Sequence, residues 1–198
     1  MAEYSDPPVV LLYRPATLDF MDEILSRNFR VLHTHTSSDP IPIYLSGQAA
    51  LARAFVNICL LPVTDELLSK LPSLQIIVLT SVGVDHIDFA ACKRRGIVVT
   101  NAGNAFSEDV ADTAVGLLIS VLRRIPAADR YVRSGNWAKS GDFKLGSKVS
   151  GKRVGIVGLG STGSLIAKRL KPFGCIISYN SRNQKPDTLT STTRTFSP

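Results

Sequence analysis

Three glycines lie at the spacing G-x-G-x-x-G in the second half of the chain, at Gly158, Gly160 and Gly163. An apolar stretch predicts a strand over residues 153–158, and the helical spacing that follows is expected to end at Gly174. Glycines at this spacing alone are a weak signal, but between a strand and a helix they are typical of a dinucleotide-binding turn. A glycine-rich turn in another kind of α/β protein is the alternative, and the flanking pattern favours the dinucleotide.

Each position of this turn has a chemical reason. Gly158 permits a tight turn, Gly160 lets a pyrophosphate approach the backbone because it has no Cβ, and Gly163 lets helix and strand pack closely. The amides of Ser161 and Thr162 lie at the positive end of the helix and are predicted to bind the phosphates.

The next predicted strand ends in Tyr179-Asn180-Ser181-Arg182, where NAD-binding proteins usually place an acid for the ribose 2′-hydroxyl. No Asp or Glu occurs from Leu159 through Pro186. A guanidinium can bind a phosphate through two hydrogen bonds. Ser181 and Arg182 therefore predict NADP (NADPH) as the cofactor, with NAD less favoured. A solvated arginine at a strand end is the alternative.

The first hundred residues alternate short apolar runs with helical spacings, and Thr64 is placed to cap a helix. Strands are predicted over residues 9–13, 29–34, 54–61, 74–80 and 97–100, and helices over residues 17–26, 46–53, 66–71 and from Asp85 or His86 to Gly96. This alternation is typical of an α/β protein with a parallel sheet and helices on both of its faces.

Residues 101–104 are predicted to form a hinge, and a long helix is predicted over residues 107–124 with Ser107 as its N-cap. A second helix is predicted over residues 127–133, followed by an exposed loop over residues 137–147. The predicted apolar side of the long helix consists of Val110, Ala114, Leu117, Leu118 and Val121.

The formal net charge of +7 is compatible with a nucleic-acid partner. The basic residues are scattered over predicted helices and strands and do not alternate with aromatic residues, so we predict no nucleic acid as a partner. No apolar run approaches the roughly 18 residues of a membrane span, so we predict no membrane partner.

Cys59, Cys92 and Cys175 are far apart in the sequence and lack the spacing of a metal site, so we predict no bound metal. Each lies in or beside an apolar segment, which predicts buried, reduced thiols. Reduced thiols favour a cytoplasmic protein.

Three segments together resemble one known family. They are the glycine turn VGLGSTG, the stretch TSVGVDHID from Thr80 to Asp88, and the stretch NAGNAFSEDVADTAVGLLISVLRR that begins at Asn101. Over about residues 7–185 the chain resembles the D-isomer-specific 2-hydroxyacid dehydrogenases. Within that family it is most similar to the plant-type glyoxylate/hydroxypyruvate reductases and hydroxyphenylpyruvate reductases.

The resemblance implies a fold and a division into domains. The family has a flavodoxin-like, parallel-sheet substrate domain, into which a Rossmann dinucleotide-binding domain is inserted. On this basis residues 1–100 form the N-terminal part of the substrate domain, and residues 101–183 form an incomplete Rossmann domain. Residues 184–198, rich in Thr and Ser, are expected to be disordered.

The resemblance also implies roles for individual residues. The amides of Val82 and Gly83 would hold a substrate carboxylate, and exposed amides after the carboxyl end of a strand do suit an anion. A plain turn with Asp85 as a helix cap is compatible with that role. Leu61, in the loop from Leu60 to Pro62, would face the substrate, and Val110 would lie near the nicotinamide. 

By resemblance, the reaction is the NADPH-dependent reduction of a small 2-oxo acid, such as glyoxylate or hydroxypyruvate, to the D-2-hydroxy acid. The helix from Ser107 and the loop around Trp137 would contribute to a homodimer. The family's catalytic Arg, Glu and His come from later segments that do not occur in this sequence, so no catalytic residue is assigned.

The histidines His33, His35 and His86 all lie in the first hundred residues, and none is assigned as a substitute acid. We therefore expect a C-terminally truncated chain that is inactive alone. The alternative is a non-catalytic interaction subunit that dimerises with a full-length relative.

Overall fold

The computed structural model describes residues 6–15, 17–34, 47–182 and 192–193. The chain divides into two compact units, Met1–Gly103 and Asn104–Pro198, which we call unit 1 and unit 2. Each unit contains its own sheet, and every strand pair in both sheets is parallel. The predicted α/β class with parallel sheets is confirmed.

Unit 1 contains five strands and three α-helices in its described residues. The strands are β1 (Val9–Tyr13), β2 (Arg30–His33), β3 (Ala54–Asn57), β4 (Ile76–Leu79) and β5 (Val98–Thr100). The helices are α1 (Phe20–Ser26), α2 (Asp65–Ser69) and α3 (Phe89–Arg94), with a 3₁₀ turn at Gln48–Leu51. The strand order is β2-β1-β3-β4-β5. Sheets of this doubly wound order bind ligands beyond the carboxyl ends of their strands.

The central strands of unit 1 are buried on both faces. Leu11 packs with Phe55 and Ile77 in one apolar cluster, whereas Leu12 and Val56 belong to a second cluster. Because successive side chains of a strand point to opposite faces, a strand inside two clusters must be apolar throughout. This explains why the strands appear in the sequence as uninterrupted apolar runs.

Side-chain caps set the starts of α2 and α3, whereas α1 has no side-chain cap. Thr64 caps α2 as predicted, since its hydroxyl accepts a backbone N–H of the first turn at 3.3 Å. The predicted start of α3 at Asp85 or His86 is wrong, because Asp88 Oδ1 accepts the Ala91 N–H at 2.9 Å and α3 begins after it. An Asx cap three residues further along the chain therefore takes precedence.

Strand β3 is shorter than predicted, since it ends at Asn57 and not at Leu61. Beyond it, Leu60 has a left-handed φ of +58°, which is incompatible with a continuing strand. The predicted helix over residues 46–53 is the 3₁₀ turn, and residue 46 lies outside the described residues.

Unit 2 contains a three-stranded sheet in its described residues. The strands are β6 (Arg153–Val157), β7 (Ile176–Asn180) and β8 (Thr192–Thr193), in the order β6-β7-β8. The helices are α4 (Ser107–Arg123), α5 (Ile125–Arg133), α6 (Asn136–Ser140) and α7 (Ser161–Leu170), with a 3₁₀ turn at Lys171–Phe173. Of the tail predicted to be disordered, Thr192 and Thr193 pair with β7, and the other residues lie outside the described residues.

Helix α4 is apolar on two sides, and the predicted apolar side is wrong in part, since Leu118 packs into the core whereas three other members of the predicted set are exposed. Val110, Leu117 and Val121 are 50%, 61% and 73% exposed, and we call them the α4 stripe. The residues of α4 that pack into the core of unit 2 are Val115, Leu118, Ile119 and Leu122. The predicted cap at Ser107 is also wrong, because Ser107 is the first residue of the helix and no side chain caps it.

The end of α4 is fixed by Arg124, whose left-handed φ of +58° separates α4 from α5. Its guanidinium donates to the Lys144 carbonyl at 3.1 Å and lies 4.8 Å from the centre of the Phe143 ring. The predicted loop over residues 137–147 is therefore wrong in part. Trp137 lies in α6 and is exposed, and the later residues return to the end of α4.

In the described part of the chain, no helix is both long enough and apolar enough to cross a membrane.

Candidate functional site

The glycine turn connects β6 to α7. Gly158 has φ +90°, a conformation that favours glycine, and its N–H donates to the Asn180 carbonyl at 2.8 Å. A Cβ on Gly163 would overlap the carbonyl oxygen of Gly158 and lie 3.3 Å from Ile156 Cγ2. The backbone conformation and the close packing of this turn therefore require glycine at both positions.

Gly160 lies in open space at the start of α7. No heavy atom of the described structure lies within 4 Å of the position a Cβ would take on Gly160. No side chain caps the helix, and within the described ranges the amides of Ser161 and Thr162 donate no hydrogen bond. Free amides at the positive end of a helix attract an anion. The turn thus has both the room and the donors that a pyrophosphate needs.

Ser181 and Arg182 follow β7 at the same edge of the sheet as the glycine turn. The register of β6 and β7 pairs Val157 with Asn180, so both strands end together. Ser181 is half-buried and Arg182 is exposed. This edge carries a guanidinium and a hydroxyl beside the turn.

The turn after β4 presents two free donors. Its carbonyls are occupied, because Asn101 Nδ2 donates to Val82 O at 2.8 Å and the Ser81 hydroxyl donates to Gly83 O at 3.0 Å. Among the residues that the structure describes, neither the Val82 nor the Gly83 amide donates a hydrogen bond, and both residues are exposed. Adjacent free amides of this kind suit a carboxylate.

The loop after β3 is organised by Asn57, a residue that the sequence pattern did not single out. Asn57 is fully buried, its Nδ2 donates to Leu61 O at 2.9 Å, and its Oδ1 accepts the Leu61 N–H at 3.0 Å. The signal that could have found it is a single amide side chain at the end of an otherwise apolar strand. Buried polar groups of this kind are retained where they are hydrogen-bonded.

The loops after β3 and β4 are joined. Val63 and Ile87 form a one-residue parallel bridge, in which the Val63 N–H donates to the His86 carbonyl at 2.8 Å and the Asp88 N–H donates to the Val63 carbonyl at 2.9 Å. The bridge holds the two predicted substrate-contacting loops against each other at the carboxyl edge of the sheet.

A family model described as D-isomer specific 2-hydroxyacid dehydrogenase, catalytic domain, matches residues 10–196. The chain belongs to this family. It is 76% identical over 186 residues to the glyoxylate/hydroxypyruvate reductase HPR3 of Arabidopsis thaliana, an alignment that covers 93% of this chain and 58% of the relative. The chain therefore spans less than two thirds of that reductase.

Solved structures of the family have the same fold. A 2-hydroxyacid dehydrogenase from Ketogulonicigenium vulgare superposes with a TM-score of 0.88 at 32% identity, covering 96% of this chain and 59% of the other. An NADPH-dependent glyoxylate/hydroxypyruvate reductase from Sinorhizobium meliloti, solved with NADP and malonate, superposes with a TM-score of 0.79 at 31% identity. That alignment covers 96% of this chain and 57% of the reductase.

In this chain the predicted site residues fall into two groups. Leu61, Val82 and Gly83 lie together on two bridged loops of unit 1. The second group lies in unit 2 and consists of Val110, Gly158, Gly160, Ser161, Thr162, Gly163, Ser181 and Arg182. Within it Val110 is separate from the others, since it lies on the exposed stripe of α4 and the rest lie at the carboxyl edge of the sheet.

Two histidines that the sequence offered as chemical groups lie in hydrogen-bonded or ion-pairing surroundings outside the predicted site. His33 Nδ1 lies 3.4 Å from Asp22 Oδ1, and the same carboxylate binds the buried guanidinium of Arg14. The hydrogen bonds that the Arg14 guanidinium donates to Asp22 raise the pKa of Arg14 above its ordinary value. His86 contributes its carbonyl to the loop bridge, and His35 lies outside the described residues.

The prediction that all three thiols are buried is wrong for one of them. Cys92 and Cys175 are buried, but Cys59 is exposed because β3 ends before it. Burial raises the pKa of the Cys92 thiol, and the Asp88 carboxylate raises it further. Among the residues that the structure describes, no group of His, Cys, Asp and Glu is arranged to hold a metal ion.

Proposed function

We propose that this chain supplies substrate and cofactor sites of a cytoplasmic, NADPH-dependent reductase that converts a small 2-oxo acid to the D-2-hydroxy acid. The observation that carries the proposal is the uncapped start of α7, where Gly160 leaves open space and two amides lack acceptors. Glyoxylate and hydroxypyruvate are the substrates we favour, because the Arabidopsis relative is a glyoxylate/hydroxypyruvate reductase.

In the proposed substrate site, the Val82 and Gly83 amides bind the carboxylate of the 2-oxo acid. Both carbonyls of this turn are already occupied, so its N–H groups stay oriented toward solvent and toward an incoming anion. Leu61, on the bridged neighbouring loop, provides an apolar wall beside the carboxylate.

In the proposed cofactor site, the Ser161 and Thr162 amides bind the pyrophosphate, with Gly158, Gly160 and Gly163 shaping the turn. The bound nicotinamide supplies the hydride for reduction of the carbonyl carbon.

Ser181 and Arg182 bind the 2′-phosphate, and the absence of an acid beside them supports NADPH over NADH. The relative from Sinorhizobium meliloti that was solved with NADP supports the same choice. Val110 lies near the nicotinamide in this proposal.

The Arg, Glu and His that the family uses for orientation and proton transfer are not among the 198 residues of this chain. General acid catalysis contributes about 10²- to 10⁴-fold to such reactions. We therefore propose that the chain binds both ligands and does not turn over by itself.

The test is to mix the purified chain with NADPH and follow two signals. The nicotinamide fluorescence should change on binding, and addition of glyoxylate should cause no loss of nicotinamide absorbance. Steady consumption of NADPH with glyoxylate would contradict the proposed inactivity. A chain that binds neither NADPH nor glyoxylate would contradict the proposed sites.

A second candidate function is that of a non-catalytic subunit that pairs with a full-length relative. The observation in its favour is the α4 stripe, whose three apolar side chains are at least half exposed. Co-expression with a full-length reductase, followed by sedimentation analysis, should give a mixed dimer. A Leu117→Gln, Val121→Gln variant should not form it, and a wild-type chain that stays monomeric beside the reductase would refute this candidate.

A further inference from the structure

Two asparagine side chains hold the backbone of the predicted substrate-contacting residues. Asn57 lies at the end of β3 and Asn101 directly follows β5, so both lie at the carboxyl edge of the unit 1 sheet. Asn57 bonds to the backbone of Leu61, and Asn101 bonds to the backbone of Val82. We propose that Asn57 and Asn101 are positioning residues for the substrate carboxylate, an inference that rests on the proposed function.

Asn57 makes two reciprocal bonds to one residue, since it donates to the carbonyl of Leu61 and accepts its N–H. These bonds close the loop around Leu60, whose φ of +58° is a conformation that costs a non-glycine residue about 1 kcal/mol or more. The two bonds to the buried Asn57 offset this cost, because a buried amide without partners would be unfavourable. Asn57 thereby determines where Leu61 is presented.

Asn101 connects two segments. Its Nδ2 donates to the Val82 carbonyl at 2.8 Å, and its Oδ1 accepts the Gly103 N–H at 3.2 Å. The carbonyl of one residue and the N–H of the next residue belong to the same planar peptide group, in which they point in opposite directions. Fixing the Val82 carbonyl therefore fixes the direction of the Gly83 N–H, which is one of the two proposed donors to the carboxylate.

The two side chains act on a single surface, because the Val63–Ile87 bridge joins the loops that they hold. Asn101 is exposed, so its replacement leaves no buried group without a partner, whereas Asn57 is fully buried. The two positions therefore need different experiments.

For Asn101, glyoxylate is titrated into the ¹⁵N-labelled chain while the Val82 and Gly83 amide resonances are followed. Asn101→Ala should weaken glyoxylate binding about tenfold, the loss of roughly one hydrogen bond, with an unchanged thermal midpoint. Asn104→Ala is the matched control, because no side-chain hydrogen bond of Asn104 occurs among the described residues and only its backbone carbonyl accepts one. Wild-type affinity in Asn101→Ala would overturn the role of Asn101.

For Asn57, the measurement is hydrogen exchange of the Leu61 amide, with the buried Phe55 amide of β3 as the reference for overall stability. Asn57→Ala should lose protection at Leu61 beyond any loss at Phe55. Equal changes at Leu61 and Phe55 in Asn57→Ala would overturn the role of Asn57.

The same data separate the two proposals. If glyoxylate moves neither the Val82 nor the Gly83 resonance in the wild-type chain, the proposed substrate site fails. The Leu61 exchange measurement does not use a ligand, and it then decides by itself whether Asn57 holds the loop.

Discussion

Replacing Gly163 with alanine tests the reasoning about the glycine turn most directly. A Cβ there would overlap the Gly158 carbonyl oxygen and lie 3.1 Å from the Gly158 carbonyl carbon. Neither atom belongs to a flexible side chain, so the backbone of β6 or α7 must shift. Forcing an extra methyl into a closely packed site typically costs about 1–3 kcal/mol.

The opposing effect is the preference of alanine for helices, which stabilises a helix by about 0.5–1 kcal/mol relative to glycine. Gly116 in α4 is the matched control, because within the described structure no atom other than those of its chain neighbours and the nearby backbone of α4 lies within 4 Å of its Cβ position. Gly116→Ala should therefore stabilise unit 2, whereas Gly163→Ala should destabilise it. Because both positions are helical, the helix preference of alanine cancels between them, and the two variants should differ by the overpacking cost of about 1–3 kcal/mol in the free energy of unfolding.

The assay is urea unfolding followed by tryptophan fluorescence, because Trp137 is the only tryptophan of the chain and lies in unit 2. With a urea dependence of about 1–3 kcal/mol per M, the midpoint of Gly163→Ala should lie about 1 M or more below that of Gly116→Ala. Gly163→Ala should also lose NADPH binding. Coinciding midpoints of the two variants would refute the argument that this position requires glycine.

Three further outcomes are expected. Arg182→Ala should weaken NADPH binding about tenfold or more and leave NADH binding unchanged, as measured by nicotinamide fluorescence, whereas an equal loss for both cofactors would exclude a 2′-phosphate role. Arg169→Met should lower the fluorescence-detected unfolding midpoint, because the Arg169 guanidinium of α7 binds Glu108 and Asp112 of α4; an unchanged midpoint would show that this ion cluster is dispensable. Cys59 should react with a thiol reagent before Cys92, because Cys59 is exposed and Cys92 is buried. The free energy of unfolding should fall as pH rises above the ordinary thiol pKa of 9.0, because the unfolded chain then loses a proton that Cys92 keeps in the folded chain. Cys92 modified as fast as Cys59 would contradict the burial that raises its pKa.

The strands and the glycine turn could be predicted because their signals are local. A strand buried on both faces must be apolar throughout, and β1 and β3 show this as short apolar runs. The turn at Gly158 requires a left-handed backbone, and the position of Gly163 requires the absence of a Cβ. Both requirements leave glycine as the residue type, and that is visible without a structure.

The side of α4 that packs into the core could not be predicted because both of its sides are apolar. Val110, Leu117 and Val121 lie at the spacing of residues on one side of a helix, and so do Val115 and Leu122. Which stripe is buried depends on α7 and β6, whose placement the spacing within α4 does not determine. Helix amphipathicity gives a direction only when one side is polar.

The proposed roles of Asn57 and Asn101 also could not be predicted from the sequence. An asparagine at the end of a strand is ordinarily a turn residue. Its role as a holder of a neighbouring loop depends on where Leu61 and Val82 come to lie, which only the folded chain shows. The same holds for Asp88, which caps α3 in preference to the equally suitable Asp85.

The bridge between Val63 and Ile87 makes the loops after β3 and β4 one mechanical body. The two loops are therefore expected to move together, so a ligand that contacts either loop reduces the motion of both. Binding to two coupled loops therefore costs less conformational entropy than binding to two independent loops. This lower cost favours the binding of a small anion that makes few contacts.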